Sequence, residues 1–227
     1  MAIQSAPSQD TIGINAGYLR AKRLLDIVFT LLILLPLCLV FIVVAVLIRL
    51  DSTGPIFYRQ KRVGLRGAEF NMLKFRSMYV ESDDSVHRDA IVKYMNGQEM
   101  NVGTVAAIKF QFKLSDDPRI TRVGRLIRKT SIDELPQFFN VLRGEMTLVG
   151  PRPPLPYEVE LYTPHDRLRL SGKPGLTGIW QIYGRSRVTF KDMVEMDIDY
   201  LQHQSLWEDL KLIVLTVPVM IGGAGGV

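Results

Sequence analysis

Apolar residues are spread unevenly along the chain, and one block of them orders the rest. From Ile27 to Ile48 no residue is charged and nearly all are apolar. As a helix this run would measure roughly 33 Å, enough to cross a bilayer, and a plain transmembrane helix accounts for its length and hydropathy. Two features favour another path. Pro36 stands near the middle, where it removes a backbone hydrogen bond and kinks a helix. Both flanks are basic, with Lys22 and Arg23 before the run and Arg49, Arg59, Lys61 and Arg62 after it. Lysine and arginine favour the cytoplasmic side of a membrane, so a helix that enters, breaks at Pro36 and returns to the same leaflet satisfies both ends. Residues 19–50 are therefore expected to form a re-entrant helical hairpin. Residues 1–18 lack a sustained apolar period and read as a disordered tail, without a secretory cleavage pattern.

Shorter periods follow. Ile56–Val63 reads as a strand, Gly64–Gly67 as a hairpin tip and Phe70–Met78 as the returning strand. Lys74 and Arg76 flank Phe75 on that strand and are expected to share a face, as solvated charges near acidic lipid or as phosphate contacts. Ser82–Asn96 has the pattern of a solvated amphipathic helix. Its surroundings hold Glu81, Asp83, Asp84, His87 and Asp89, a weak metal signal with a single histidine. Ser115–Pro118 predicts a helix start, with Ile120, Val123, Leu126 and Ile127 as its stripe. Leu135, Phe138, Phe139 and Leu142 predict the buried side of a second helix ended by Gly144, where Asn140 has a structural role. Met146–Val149 is a short strand, and Thr189–Leu201 a helix whose acids make a solvated face. Trp207–Ile221 is too short to span a bilayer and fits an interfacial helix, with burial against the domain as the alternative. The expected fold is α+β and helix-rich: a monotopic membrane protein in which residues 51–227 form one domain with interfacial C-terminal helices.

Charge narrows the partners. The 227 residues carry a net charge of +5 and a pI near 9.3, which points to nucleic acid, acidic lipid or a phosphorylated substrate. Nucleic acid fits poorly, because the cations flank apolar elements and form no aromatic-interleaved stripe. Cys38 is the single cysteine, which excludes an internal disulfide framework and a cysteine zinc site.

The chemistry concentrates between Arg128 and Pro153. Ser131 followed three residues later by Glu134 reads as a capping box, placing Asp133 and Glu134 at the second and third positions of a helix, where negative charge is favoured. That bland reading is complete in itself. However, Arg125, Arg128, Lys129, Arg143 and Arg152 gather around one acid pair, more cation than a surface helix needs. Pro151 and Pro153 fix the backbone on either side of Arg152, and Arg185 and Arg187 follow Gly184. No GxGxxG or Walker pattern is present.

Six blocks then carry a resemblance: Lys22-Arg23-Leu24-Leu25-Asp26, Gly54-Pro55-Ile56-Phe57-Tyr58-Arg59-Gln60, Lys74-Phe75-Arg76-Ser77-Met78, Thr130 to Gln137, Leu148 to Pro153, and Gly175-Leu176-Thr177-Gly178. In this order they resemble the bacterial sugar transferases, the monotopic phosphoglycosyl transferases that move a hexose-1-phosphate from a UDP-sugar to undecaprenyl phosphate. The resemblance implies that Asp133 is the nucleophile of a covalent aspartyl phosphosugar intermediate, with UMP released, and that Glu134 holds Mg²⁺. It implies that Arg128, Arg152, Arg185, Lys74 and Arg76 bind substrate. It further implies work at the cytoplasmic face of a bacterial inner membrane, at the first membrane step of exopolysaccharide, capsule or O-antigen synthesis. The family carries a serine before its membrane proline, where this chain has Leu35. Two alternatives remain open at this point: a non-enzymatic protein that binds anionic lipid, and a transferase acting by direct displacement.

Overall fold

A computed structural model of the chain describes residues 15–80, 91–92, 94–95, 119–184 and 188–221. The tail through residue 14, most of the segment expected as an amphipathic helix, the Ser115–Pro118 helix start, Arg185 and Arg187 lie outside the described residues.

Helix α1 spans Ala16–Asp51, with Asn15 capping its start and Pro36 inside it. The apolar run is thus one unbroken helix, and the expected pair of helices joined at Pro36 is not seen. A proline deletes a single hydrogen bond and can kink a helix without ending it. Several of the flanking cations also differ from expectation, since they are tied into the protein. Lys22 Nζ donates to Asp209 Oδ2 at 2.7 Å and to the Tyr200 hydroxyl at 3.0 Å. Arg23 donates to the carbonyls of Val141 (2.6 Å) and Leu142 (2.7 Å), and Arg49 to that of Gly54 at 2.8 Å. Asp26 accepts from the Thr147 hydroxyl and the Leu148 amide, the latter at 2.9 Å. At the far end Asp51 accepts from the Val123 amide at 2.8 Å. Both ends of α1 therefore dock on the same domain, while Leu32, Leu35 and Leu39 between them are 64–75% exposed.

After α1, strands β1 (Phe57–Val63) and β2 (Glu69–Phe75) form an antiparallel hairpin with Phe57 opposite Phe75 and Val63 opposite Glu69. A 3₁₀ turn, Leu65–Gly67, makes its tip. Because opposed residues share a face, Tyr58, Gln60 and Arg62 lie on the same side as Lys74. Helix α2 (Arg122–Lys129) is capped by Thr121, whose hydroxyl accepts from the Gly124 amide at 2.9 Å. Helix α3 (Gln137–Arg143) ends at Gly144, whose φ of 80° is the left-handed conformation glycine adopts freely. Asn140 on α3 has the structural role expected of it. Its Oδ1 accepts from the Leu73 amide, and its Nδ2 donates to the Asn71 carbonyl and Glu145, all within 2.9 Å. It thereby pins α3 to β2.

Strand β3 (Thr147–Val149) pairs in parallel with β4 (Gly175–Thr177). Between them lie helix α4 (Pro156–Glu160) and a 3₁₀ segment, Asp166–Ser171. A π-helical turn at Trp180–Gly184 leads towards α5 (Phe190–His203) and α6 (Leu206–Ile221). Thr189 and Asp192 form a capping box on α5. Asp197, expected on a solvated face, is instead buried and accepts from Arg169 Nε at 2.9 Å. A buried carboxylate requires such a partner. Helix α6 packs one face against the domain, as the burial alternative for the C-terminus expected. Asp209, Leu212 and Ile213 are buried, whereas Trp207, Leu210, Val214 and Val217 form an exposed stripe.

The core lies in three clusters. Met72, Val141, Met146, Leu148 and Leu212 join the hairpin, α3, β3 and α6, with Leu25 and Phe29 of α1 against them. Val44 and Ile48 meet Phe75 and Ile127 at the other end of α1. Val63, Trp180, Phe190 and Val194 hold α5 to the end of β1. Ile132 and Leu135, on either side of the acid pair, pack against the second of these clusters.

Candidate active site

Asp133 and Glu134 occupy a 3₁₀ turn, Ile132–Glu134, and the helix proper begins only at Gln137. The expected capping box is absent: Ser131 is left-handed (φ 56°, ψ 16°) and its side chain caps nothing. The cause is Pro136. A helix started by Ser131 would need the residue at 136 to donate to the carbonyl of Ile132, and proline has no N–H and clashes there. The turn instead closes through Glu134 N to Ser131 O (3.2 Å) and Leu135 N to Ile132 O (3.1 Å). Ser131 is buried in this strained conformation, so the backbone carrying the acids is set by surrounding packing.

The cations divide into those near the acids and those elsewhere. Lys74 Nζ donates to Glu134 Oε1 at 2.8 Å, with the two side chains 21% and 39% exposed. Arg128, half-buried on the last turn of α2, acts electrostatically on Asp133. Arg152, also half-buried, acts on Glu134, and its guanidinium lies over the Trp180 ring at 5.8 Å. Arg76 is not part of this group. It donates to the Ser52 carbonyl and hydroxyl, both at 2.7 Å, next to the end of α1. Strand β2 ends at Phe75, so the alternation that would put Arg76 beside Lys74 stops one residue too early. Arg125, Lys129 and Arg143 are exposed, and Arg185 lies outside the described residues.

The two carboxyls differ in charge environment. Burial pushes the Asp133 carboxyl up to about 6; Glu134 adds to this, while Lys74 and Arg128 oppose it. Burial also acts on Glu134, but Lys74, Arg152 and Arg62 outweigh it and hold the carboxyl below the usual range. The site thus keeps Glu134 anionic and makes Asp133 a basic, poorly solvated carboxylate. Neighbouring titratable groups with opposed shifts are a pattern of functional sites.

Sequence reasoning placed Arg62 only among the cations flanking the apolar run. The structure buries it beside Arg152, Glu158 and Glu134. Its signal was the strand alternation Tyr58, Gln60, Arg62, which shares a face with Lys74.

Among known proteins, the profile of the bacterial sugar transferases matches residues 17–223, from the first turn of α1 to the end of α6. The chain belongs to the bacterial sugar transferase family. Its relatives include the galactosyl transferase CpsE of Streptococcus agalactiae, 46% identical over 211 residues that cover 92% of this chain and 44% of that protein. The exopolysaccharide production protein ExoY of Rhizobium meliloti is 37% identical and covers 96% of both chains. The UDP-glucose:undecaprenyl-phosphate glucose-1-phosphate transferase of Caulobacter vibrioides is 39% identical over 88% of this chain and 69% of its own. This chain thus spans less than half of the length of CpsE and nearly the whole of ExoY.

Proposed function

We propose that this sugar transferase moves a hexose-1-phosphate from a UDP-sugar to undecaprenyl phosphate at the membrane surface, as a step of exopolysaccharide synthesis. Support comes from the names of its relatives, among them a UDP-glucose:undecaprenyl-phosphate glucose-1-phosphate transferase and an exopolysaccharide production protein. The observation that carries the reading is the acid pair itself, a poorly solvated Asp133 beside a Glu134 that Lys74 keeps ionised.

In the proposed reaction an Asp133 carboxylate oxygen attacks the phosphorus that bears the sugar. The bond from that phosphorus to the bridging oxygen breaks, and UMP leaves with the electron pair. A phosphate oxygen of the polyprenyl acceptor then attacks the same phosphorus and expels the Asp133 carboxylate, forming a diphosphate. Covalent catalysis divides one difficult transfer into two steps. Arg152 and Arg128 bind the phosphates through charge-assisted hydrogen bonds, and Lys74 fixes Glu134.

The carboxylates suit Mg²⁺, which one or two acidic side chains hold together with substrate phosphates and water. No group of three or more histidine, cysteine or acidic side chains stands together among the described residues, so the diphosphate would complete the shell. Glu134 would be the protein ligand. When bound, the ion offsets the diphosphate charge that otherwise repels an anionic nucleophile.

The proposed membrane arrangement is supported by α1. A helix spanning the bilayer would place its ends about 30 Å of hydrocarbon apart, yet both ends dock on one domain through Lys22–Asp209 and Asp51–Val123. We read α1 as re-entrant through a bend at Pro36, with its exposed middle in lipid and both ends on the cytoplasmic face of the inner membrane. The exposed stripe of α6 lies at the same interface. This brings a soluble donor and a lipid-borne acceptor to one site. The test is release of UMP from a panel of UDP-sugars, with and without Mg²⁺ and undecaprenyl phosphate. Release that needs the donor and Asp133 supports the reading. No release from a folded, membrane-bound preparation rejects it in favour of a lipid-binding protein.

A further inference from the structure

Arg62 is 4% exposed beside the acid pair, yet among the described residues it forms no ion pair. Burying a charge without a counter-ion is costly. Burial, followed by the neighbouring Arg152, pushes its pKa down to about 10. Its hydrogen bonds indicate what this arrangement achieves. Nε and Nη2 donate to Gln60 Oε1 at 3.1 and 2.8 Å, while Nη1 donates to the Pro153 carbonyl at 2.8 Å. The next residue, Val63, donates its amide to the Pro154 carbonyl at 2.9 Å. The loop that presents Arg152 contains Pro151, Pro153 and Pro154, which have no N–H to donate. Its carbonyls are therefore the handles by which it is held. Gly175 N takes Pro151 O at 2.9 Å, Val63 N takes Pro154 O, and the Arg62 side chain takes Pro153 O.

We propose that Arg62 is a positioning residue for the donor: held flat by Gln60, it fixes the Pro153 carbonyl and so the direction in which Arg152 meets the diphosphate. The inference rests on the phosphate-binding role proposed for Arg152. Lysine cannot replace Arg62, because one ammonium does not reproduce a planar fork bonded on two edges.

The test uses the full chain in detergent. UDP affinity, donor KM and kcat are measured for the wild type, Arg62→Met, Arg62→Lys, Gln60→Ala, Arg152→Met and the Arg62→Met/Arg152→Met double variant. Arg62→Met is expected to weaken UDP binding and raise donor KM by about 10-fold, with kcat changed less than about 3-fold. Arg62→Lys recovers little, and Gln60→Ala shifts KM in the same direction by less. In the Arg152→Met background the Arg62 change adds less than about 2-fold, because coupled residues are not additive. A wild-type KM in Arg62→Met, or equal penalties in both backgrounds, overturns the proposal. If Arg62→Met does not fold, unchanged KM in both Arg62→Lys and Gln60→Ala overturns it equally. Failure of the wild type to bind UDP or release UMP is a separate result, visible before any variant is compared, and removes the functional reading itself.

Discussion

Lys74 Nζ sits 2.8 Å from Glu134 Oε1, joining the β-hairpin to the turn that carries the acid pair. This bond crosses 60 residues of sequence and holds the Glu134 carboxyl low, while the same ammonium opposes the rise that burial imposes on Asp133. Lys74→Gln is expected to lower kcat by about 100-fold, in the range found when one preorganised hydrogen-bond donor of an active site is lost. Lys74→Arg keeps the charge and should recover part of it. Steady-state UMP release with both variants at wild-type folded yield measures this; unchanged kcat in Lys74→Gln would separate the ion pair from catalysis.

Asp133 carries a stability cost with a definite pH dependence. Its carboxyl titrates near 3.8 when unfolded and is pushed up to about 6 by burial in the fold. Folding therefore favours the protonated form; that contribution is complete below about pH 4 and is lost as pH rises through about 6. Asp133→Asn should match the wild type near pH 4 and exceed it by about 1–2 kcal/mol at pH 8 without divalent cations, after allowance for partial solvation. Urea unfolding in detergent at the two pH values gives the difference. A variant less stable than the wild type at pH 8 would show that Asp133 is not strained by ionisation.

Asn140 satisfies a backbone amide and a carbonyl of β2 at once. Asn140→Leu leaves the buried Leu73 amide and the partly buried Asn71 carbonyl without this partner, a buried unsatisfied group costing about 1–3 kcal/mol. The expected loss is about 3 kcal/mol, read from the urea midpoint. A loss under about 1 kcal/mol would mean that water replaces the side chain.

The docking of both ends of α1 predicts its topology. Cysteine placed at Asn15 and at Ser52, in a Cys38→Ser background, should be labelled from the same side of the membrane in intact spheroplasts. Labelling from opposite sides would show that α1 spans the bilayer. Replacing Leu210 and Val214 on the exposed stripe of α6 by glutamate should shift that helix out of the interface and lower activity on the lipid acceptor more than UMP release from the donor alone.

The elements with strong local pattern were legible in the sequence. The hairpin from Ile56, the glycine stop at Gly144, the structural part of Asn140 and the exposed apolar stripe of α6 each follow from short-range chemistry. The misreadings have physical causes. Ser131 and Glu134 satisfy the spacing of a capping box, but Pro136 five residues on denies the helix they would start. Lys22 and Arg23 resemble headgroup anchors until Asp209 and the end of α3, distant in sequence, supply partners. Asp197 looked solvated because Arg169 is 28 residues away. Arg62 was hidden for the same reason, since its carbonyl partner lies 91 residues further along the chain. The residue types at the site were readable, but the contacts that hold them are long-range.

The central claim is that Asp133 carries the phosphosugar. Intact-protein and peptide mass spectrometry after rapid mixing with UDP-sugars and Mg²⁺, without acceptor, tests it most directly. The account predicts a hexose-phosphate mass on the peptide containing Asp133, lost on adding undecaprenyl phosphate and absent from Asp133→Asn. Steady transfer to the acceptor with no adduct at any quench time, or an adduct that persists in Asp133→Asn, would contradict it.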